Sequence, residues 1–163
     1  MADGKPPQGG SAGTLPRWAR PLGYAGLVPF IACALVMLAV PDADTRHVAG
    51  RALLGYGAVI LSFLGGVHWG MVLRGAAPDR SGGMLAAGVV PSLVGWAALL
   101  LPFEQAAAIQ VAGFGLFWLY EHRVLDTAVL PADYLALRRW LTLGVVASMG
   151  LALMAPSLVP IAS

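Results

Sequence analysis

The sequence predicts an all-α fold, a polytopic helical bundle with five transmembrane helices. Three observations carry that prediction. Of the 163 residues, 58% are apolar and 11% are charged, where an average soluble domain carries roughly 25% charge. The mean hydropathy is +0.76, and the apolar residues fall in runs of about 20, the length that crosses a bilayer as a helix. The charges collect at the ends of those runs rather than along them.

Residues 1–16 are rich in Gly, Pro, Gln and Ser and nearly free of apolar side chains. Such a segment buries too little surface to offset its ordering entropy, so residues 1–20 read as a disordered tail. Residues 21–160 then read as one transmembrane domain. The first apolar run is long and lacks a cleavage site of small residues, which excludes a secretory signal.

The first span covers about 22–40, with Arg17, Trp18 and Arg20 as interfacial anchors. Pro29 inside it removes a backbone hydrogen bond and predicts a kink. Residues 41–51 read as a polar loop. The second span is 52–73, followed by a loop rich in Gly, Pro and charge. The third is 84–101, kinked at Pro91, and Pro102–Gln105 reads as a tight turn. The fourth is 106–120. Residues 121–139 form the longest loop, with a short interfacial helix over 131–139, and the fifth span is 140–158.

Five spans place the termini on opposite sides. One side then holds Lys5, Arg17, Arg20, Arg74, Arg80, Arg123, Arg138 and Arg139, and the other holds Arg46 and Arg51. Basic loops stay in the cytoplasm. The eight-to-two asymmetry therefore predicts a cytoplasmic N-terminus and an outside C-terminus. Arg outnumbers Lys heavily, and Ala and Gly abound, as in a high-GC bacterium with the protein in its inner membrane.

The stretch from Gly55 to Gly70 is the centre of the organisation. Ala58, Ser62, Gly66 and Gly70 recur every four residues, a row of small side chains that lets another helix approach closely. Packing against a neighbour within the chain is one reading, and an intermolecular face the other. His68 lies about 200° round from Gly66, on a face with Leu61, Leu64 and Gly65. An ionisable residue at membrane depth is a functional candidate by default; near an interface a structural role competes. His122 could approach from the same side, whereas His47 is on the other. Glu121 ends the fourth span in the headgroup zone, with Arg138, Arg139 or His68 as partner. His68, Glu121, Arg138 and Arg139 are thus the candidate ligand or proton site. Snorkelling and solvated ion pairs are the plainer alternative. Trp69, Trp118, Tyr120, Tyr134 and Trp140 fit an aromatic belt on that side.

No triad, Gly-rich phosphate loop or HExxH pattern occurs, and no catalytic residue is assigned. The single cysteine, Cys33, excludes an internal disulfide and a CxxC site. No metal site and no cofactor are expected, and the scattered basic residues exclude nucleic acid as a partner.

Tyr56-Gly57-Ala58, Ser62-Phe63, Gly65-Gly66 and His68-Trp69-Gly70 together resemble the signature of the domain-of-unknown-function 3429 family, the transmembrane protein 69-like integral membrane proteins. Pro91-Ser92 with Gly95-Trp96 resembles its second block, and Leu130-Pro131, Tyr134, Arg138 and Leu141-Thr142 its third. The resemblance covers about residues 20–155. It implies a multi-span helical domain in bacteria and mitochondria, with arginine also expected at the position of His68, and it supplies no activity or substrate. The expectation is an accessory, assembly or structural partner of a membrane complex, without enzymatic activity. The lipid bilayer and a membrane-protein partner or second copy are its expected partners. A small transporter or lipid- or ligand-binding protein is the alternative.

Overall fold

Pro29 has no N–H to give the Ala25 carbonyl, and the first apolar run breaks one turn ahead of it. The computed structural model describes residues 15–75, 78–125 and 132–155. It opens with α1 (Ala19–Ala25) and α2 (Val28–Ala39), separated at Gly26–Leu27. Pro29 thus lies in the first turn of α2, where a proline is tolerated, rather than kinking a continuous helix. The Tyr56 hydroxyl donates to the Gly26 carbonyl at the break, 3.1 Å away. The expected tail lies outside the described residues as far as 14, and Ala19 and Arg20 already belong to α1.

Of the loop expected over 41–51, residues 43–51 are instead helix. Asp42 caps α3 (Ala43–Leu73), accepting from the Thr45 N–H at 2.8 Å and from the Thr45 hydroxyl. Asp44 in the first turn faces the positive end of the helix dipole. The cap motif outweighs the polarity of the segment, and α3 reaches 31 residues. Its other end turns at Gly75, whose φ of 80° suits a residue without a Cβ. A 3₁₀ turn at Pro78–Arg80 leads into α4 (Ser81–Ala98), which carries Pro91 inside it and begins three residues earlier than expected.

The turn expected at 102–105 shrinks to Pro102, after which α5 (Phe103–Tyr120) begins. A π-helical turn, Glu121–Leu125, extends it. Residues 126–131, including part of the expected interfacial helix, lie outside the described residues. The rest of that helix is continuous with the last span as α6 (Ala132–Leu153). The expected end of the span and Pro156 also lie outside the described residues.

Among the described residues, four stretches are long and apolar enough to cross a membrane: Ala19–Ala39, Ala43–Leu73, Pro78–Ala98 and Ala132–Leu153. The 18 residues of α5 extend about 27 Å. Packing closes α2, α3, α4, α5 and α6 into a ring, and α3 also touches α5 across it. Among the described residues there is no strand. The fold is an all-α bundle.

At its centre Phe30 meets Tyr56 edge-on at 4.9 Å and Phe114 at 6.1 Å. Met37, Leu53, Leu61 and Met149 complete this core with no exposed surface. The outside is as apolar as the inside: Leu22, Phe63, Leu73, Leu100 and Leu116 are each about two-thirds exposed or more. Water would penalise a surface like this, and hydrocarbon does not.

Candidate functional site

The sequence places His68, Glu121 and Arg138 in three separate segments. The bundle brings them together at one end. His68 stands five residues before the end of α3, Glu121 just past α5, and Arg138 in the second turn of α6. His68 and Glu121 have no exposed surface, and Arg138 is 4% exposed. All three are buried between the helices at that end of the bundle.

Glu121 is the hub. Arg138 Nε donates to its Oε2 at 2.9 Å. The Tyr134 hydroxyl donates to its Oε1 at 3.4 Å, and His68 Nε2 lies 3.9 Å from the same oxygen. Arg138 Nη1 donates to the Thr142 hydroxyl one turn further along α6, 2.8 Å away. His68 Nδ1 donates to the Leu64 carbonyl at 3.3 Å, which leaves Nε2 without a hydrogen bond. Its ring packs on Phe117 at 4.9 Å. Burying an ion pair is costly unless the partners are hydrogen-bonded to one another. Here both are, and with a neutral imidazole the pair is electrically balanced. One polar atom of the guanidinium, Nη2, is buried with no partner among the described residues.

Arg139 is not part of this cluster. It is exposed beside Trp140, its guanidinium carbon 5.5 Å from the ring centroid. One residue along a helix turns about 100°, and that step carries position 139 from the buried side of α6 to its exposed side. His122 is also outside, exposed and stacked on Trp118 at 5.6 Å. His47 lines a crevice at the opposite end with Arg51. Among the described residues, no three His, Cys, Asp or Glu side chains are grouped to hold a metal.

The row of small residues does not pack within the chain as a unit. Ala58 is buried, but Ser62, Gly66 and Gly70 are exposed, and open space faces both glycines. Steps of four residues drift about 40° each, so the row winds from the covered face of α3 to the lipid-facing one. The close approach uses Gly65 instead. A Cβ there would strike the Gly88 carbonyl of α4, and one at Gly88 would meet Trp69 Cδ1 at 2.9 Å. The Trp69 indole N–H then reaches the Leu85 carbonyl at 3.2 Å.

Two polar positions had no role assigned to them in the sequence reading. Thr142 supports Arg138. Gln110, buried at the middle of α5, donates through Nε2 to the Leu54 carbonyl at 2.9 Å and lies against Gly57. A lone amide within an apolar span opposite a glycine was the available signal.

Charges gathered inside and at the ends, with hydrocarbon side chains outward, define a helical integral membrane protein. The chain belongs to the family described as "Protein of unknown function (DUF3429)", whose model matches residues 15–154. It is 39% identical over 137 residues to "Transmembrane protein 69" of Xenopus tropicalis, covering 82% of this chain and 53% of that one. To the protein of the same name from Mus musculus it is 35% identical over 104 residues, covering 62% and 42%. The chain thus spans about half the length of the curated relatives it matches. No solved structure matches.

Proposed function

We propose that the protein catalyses no reaction and serves as an accessory or assembly partner of a membrane complex. The observation that supports this reading is the outward face of α3. Ser62, Gly66 and Gly70 present a smooth strip of about 12 Å along the helix, with no side chain among the described residues over the two glycines. Association of helices in lipid rests on close packing of such small residues. The occupant fitted to it is one transmembrane helix of a partner protein. Photo-crosslinking from Phe63 or Ser62 in native membranes tests this: the expected result is one discrete heteromeric product, lost in Gly66→Leu. Crosslinks to lipid alone would overturn it, and a product of twice the chain mass would replace the partner with a second copy.

The location proposed is a bacterial inner membrane with the N-terminus in the cytoplasm, supported by the eight-to-two distribution of basic residues. A second reading, a lipid- or ligand-binding protein or small transporter, is favoured by a crevice that runs from Arg138 past Phe30 to Tyr56. Lipid analysis of the purified protein tests it: a stoichiometric bound molecule supports it, and none overturns it.

A further inference from the structure

The crevice at the opposite end of the bundle, beside His47 and Arg51, is open and carries charge. It encloses about 550 Å³ between α3 and the connection from α4 to α5, within the range of roughly 300–1,000 Å³ typical of ligand sites. Leu54 and Gly55 continue its α3 wall, and Leu101, Pro102 and Phe103 face them. A Cβ on Gly55 would meet nothing within 4 Å, so the crevice stays open one turn below Arg51.

The depth of this crevice follows from the length of α3. Its 31 residues extend about 46 Å, of which the hydrocarbon core takes about 30 Å. Counted back from Leu73, that is about 20 residues. Leu54 and Gly55 then lie at the hydrocarbon boundary, with Arg51, His47 and Asp44 in succession outside it. These three are exposed and fall within about 60° of one another around the helix, so they form one stripe. Read outward, the stripe presents a guanidinium, an imidazole and, about 4.5 Å further along the axis, a carboxylate. Among the described residues, neither the Arg51 nor the His47 side chain has an ion pair or a hydrogen bond.

Net charge does not draw an anion here. The carboxylates of Asp42, Asp44 and Glu104 outnumber the guanidiniums of Arg46 and Arg51 at this end. The order of charge along the stripe is what selects a ligand. We infer that the crevice binds one phospholipid whose phosphate bears a primary ammonium, as in phosphatidylethanolamine. The phosphate lies on Arg51 and His47, the ammonium on Asp44, and the first acyl carbons over Gly55 against Leu101 and Phe103. A guanidinium matches phosphate as a two-pronged donor. A primary ammonium gives Asp44 charge-assisted N–H bonds. The trimethylammonium of phosphatidylcholine has no N–H to give, and phosphatidylglycerol brings no positive charge to Asp44. This site is separate from the crevice at Arg138, and its failure leaves both readings of the function as they stand.

The test places the full chain in phosphatidylcholine nanodiscs containing equal small amounts of phosphatidylethanolamine and phosphatidylglycerol. Native mass spectrometry reads the lipid that stays bound. The expected result is one phosphatidylethanolamine per chain, retained at least tenfold over either other lipid relative to its abundance. Arg51→Ala is expected to reduce that retention at least tenfold. Gly55→Leu keeps every charge and fills the crevice, and the same loss is expected. Asp44→Asn should remove the preference over phosphatidylcholine. Arg139→Ala, exposed at the other end, should change nothing. No bound phosphatidylethanolamine, equal or tighter retention of either other lipid by the wild type, or retention unchanged by Arg51→Ala or Gly55→Leu would overturn the proposal. An equal loss in Arg139→Ala would reduce the effect to general surface charge and overturn it too. Displacement of the lipid by an equal concentration of soluble phosphoethanolamine would overturn the lipid as the occupant.

Discussion

Glu121 holds two side chains, Arg138 and Tyr134, from one carboxylate, and its charge is the sensitive quantity. Glu121→Gln keeps the shape and leaves the Arg138 guanidinium buried without a counter-ion. Breaking a buried pair from one side costs about 3–5 kcal/mol, so a large drop in unfolding temperature in micelles is expected. Glu121→Met with Arg138→Met removes both charges and should recover most of that loss. If Glu121→Gln melts with the wild type, the ion pair contributes nothing to the fold. This cluster was half legible in the sequence. Glu121, His68 and Arg138 stood out because ionisable groups are rare in apolar runs. Arg139 looked equivalent to Arg138 because a charge count cannot see which way a helix is rotated. Thr142 and Tyr134 gained their roles only when α6 extended back past Arg138.

At the scale of elements, the caps and close approaches decide where helices begin and meet. Both bonds from Thr45 hold the Asp42 carboxyl below its usual range. A depressed folded pKa contributes stability above the unfolded value, near 3.9, and loses it as pH falls through the folded value. Asp42→Ala should therefore lower the melting temperature at pH 7, with the gap to wild type closing toward pH 2; a gap independent of pH would refute the capping role. Gly65 and Gly66 make a second contrast. Gly65→Leu must separate α3 from α4 at a backbone contact and is expected to destabilise strongly. Gly66→Leu points into open space and should leave the melting temperature within a few degrees. Equal losses from both would mean that α3 is rotated relative to the bundle described here. Both the length of α3 and the single helix over 132–153 escaped the hydropathy pattern. Polar residues at a helix end lower a window average without breaking a hydrogen bond.

For the whole molecule, the testable property is its direction in the membrane. With Cys33 replaced by Ala, Asp44→Cys should react with an impermeant maleimide in intact cells. Asp79→Cys should react only after lysis. Both are exposed residues at opposite ends of α3, Asp44 in its first turn and Asp79 in the 3₁₀ turn that follows it. The reverse pattern would invert the proposed orientation and place the buried cluster toward the outer face.

The sequence by itself determined the solvent and the class of fold, because the length and apolarity of a run fix what can cross hydrocarbon. It also marked His68, Glu121 and Arg138 as a group to watch. The tertiary structure decided that these three meet and that Gly65, not the Gly66 row, seats the neighbouring helix. Those outcomes depend on helix rotation and on contacts between residues 17 to 70 positions apart, and composition and local spacing do not encode either. The Gly55–Gly70 stretch is central for that reason: one face of α3 builds the interior, and the other is left to the membrane and whatever packs there.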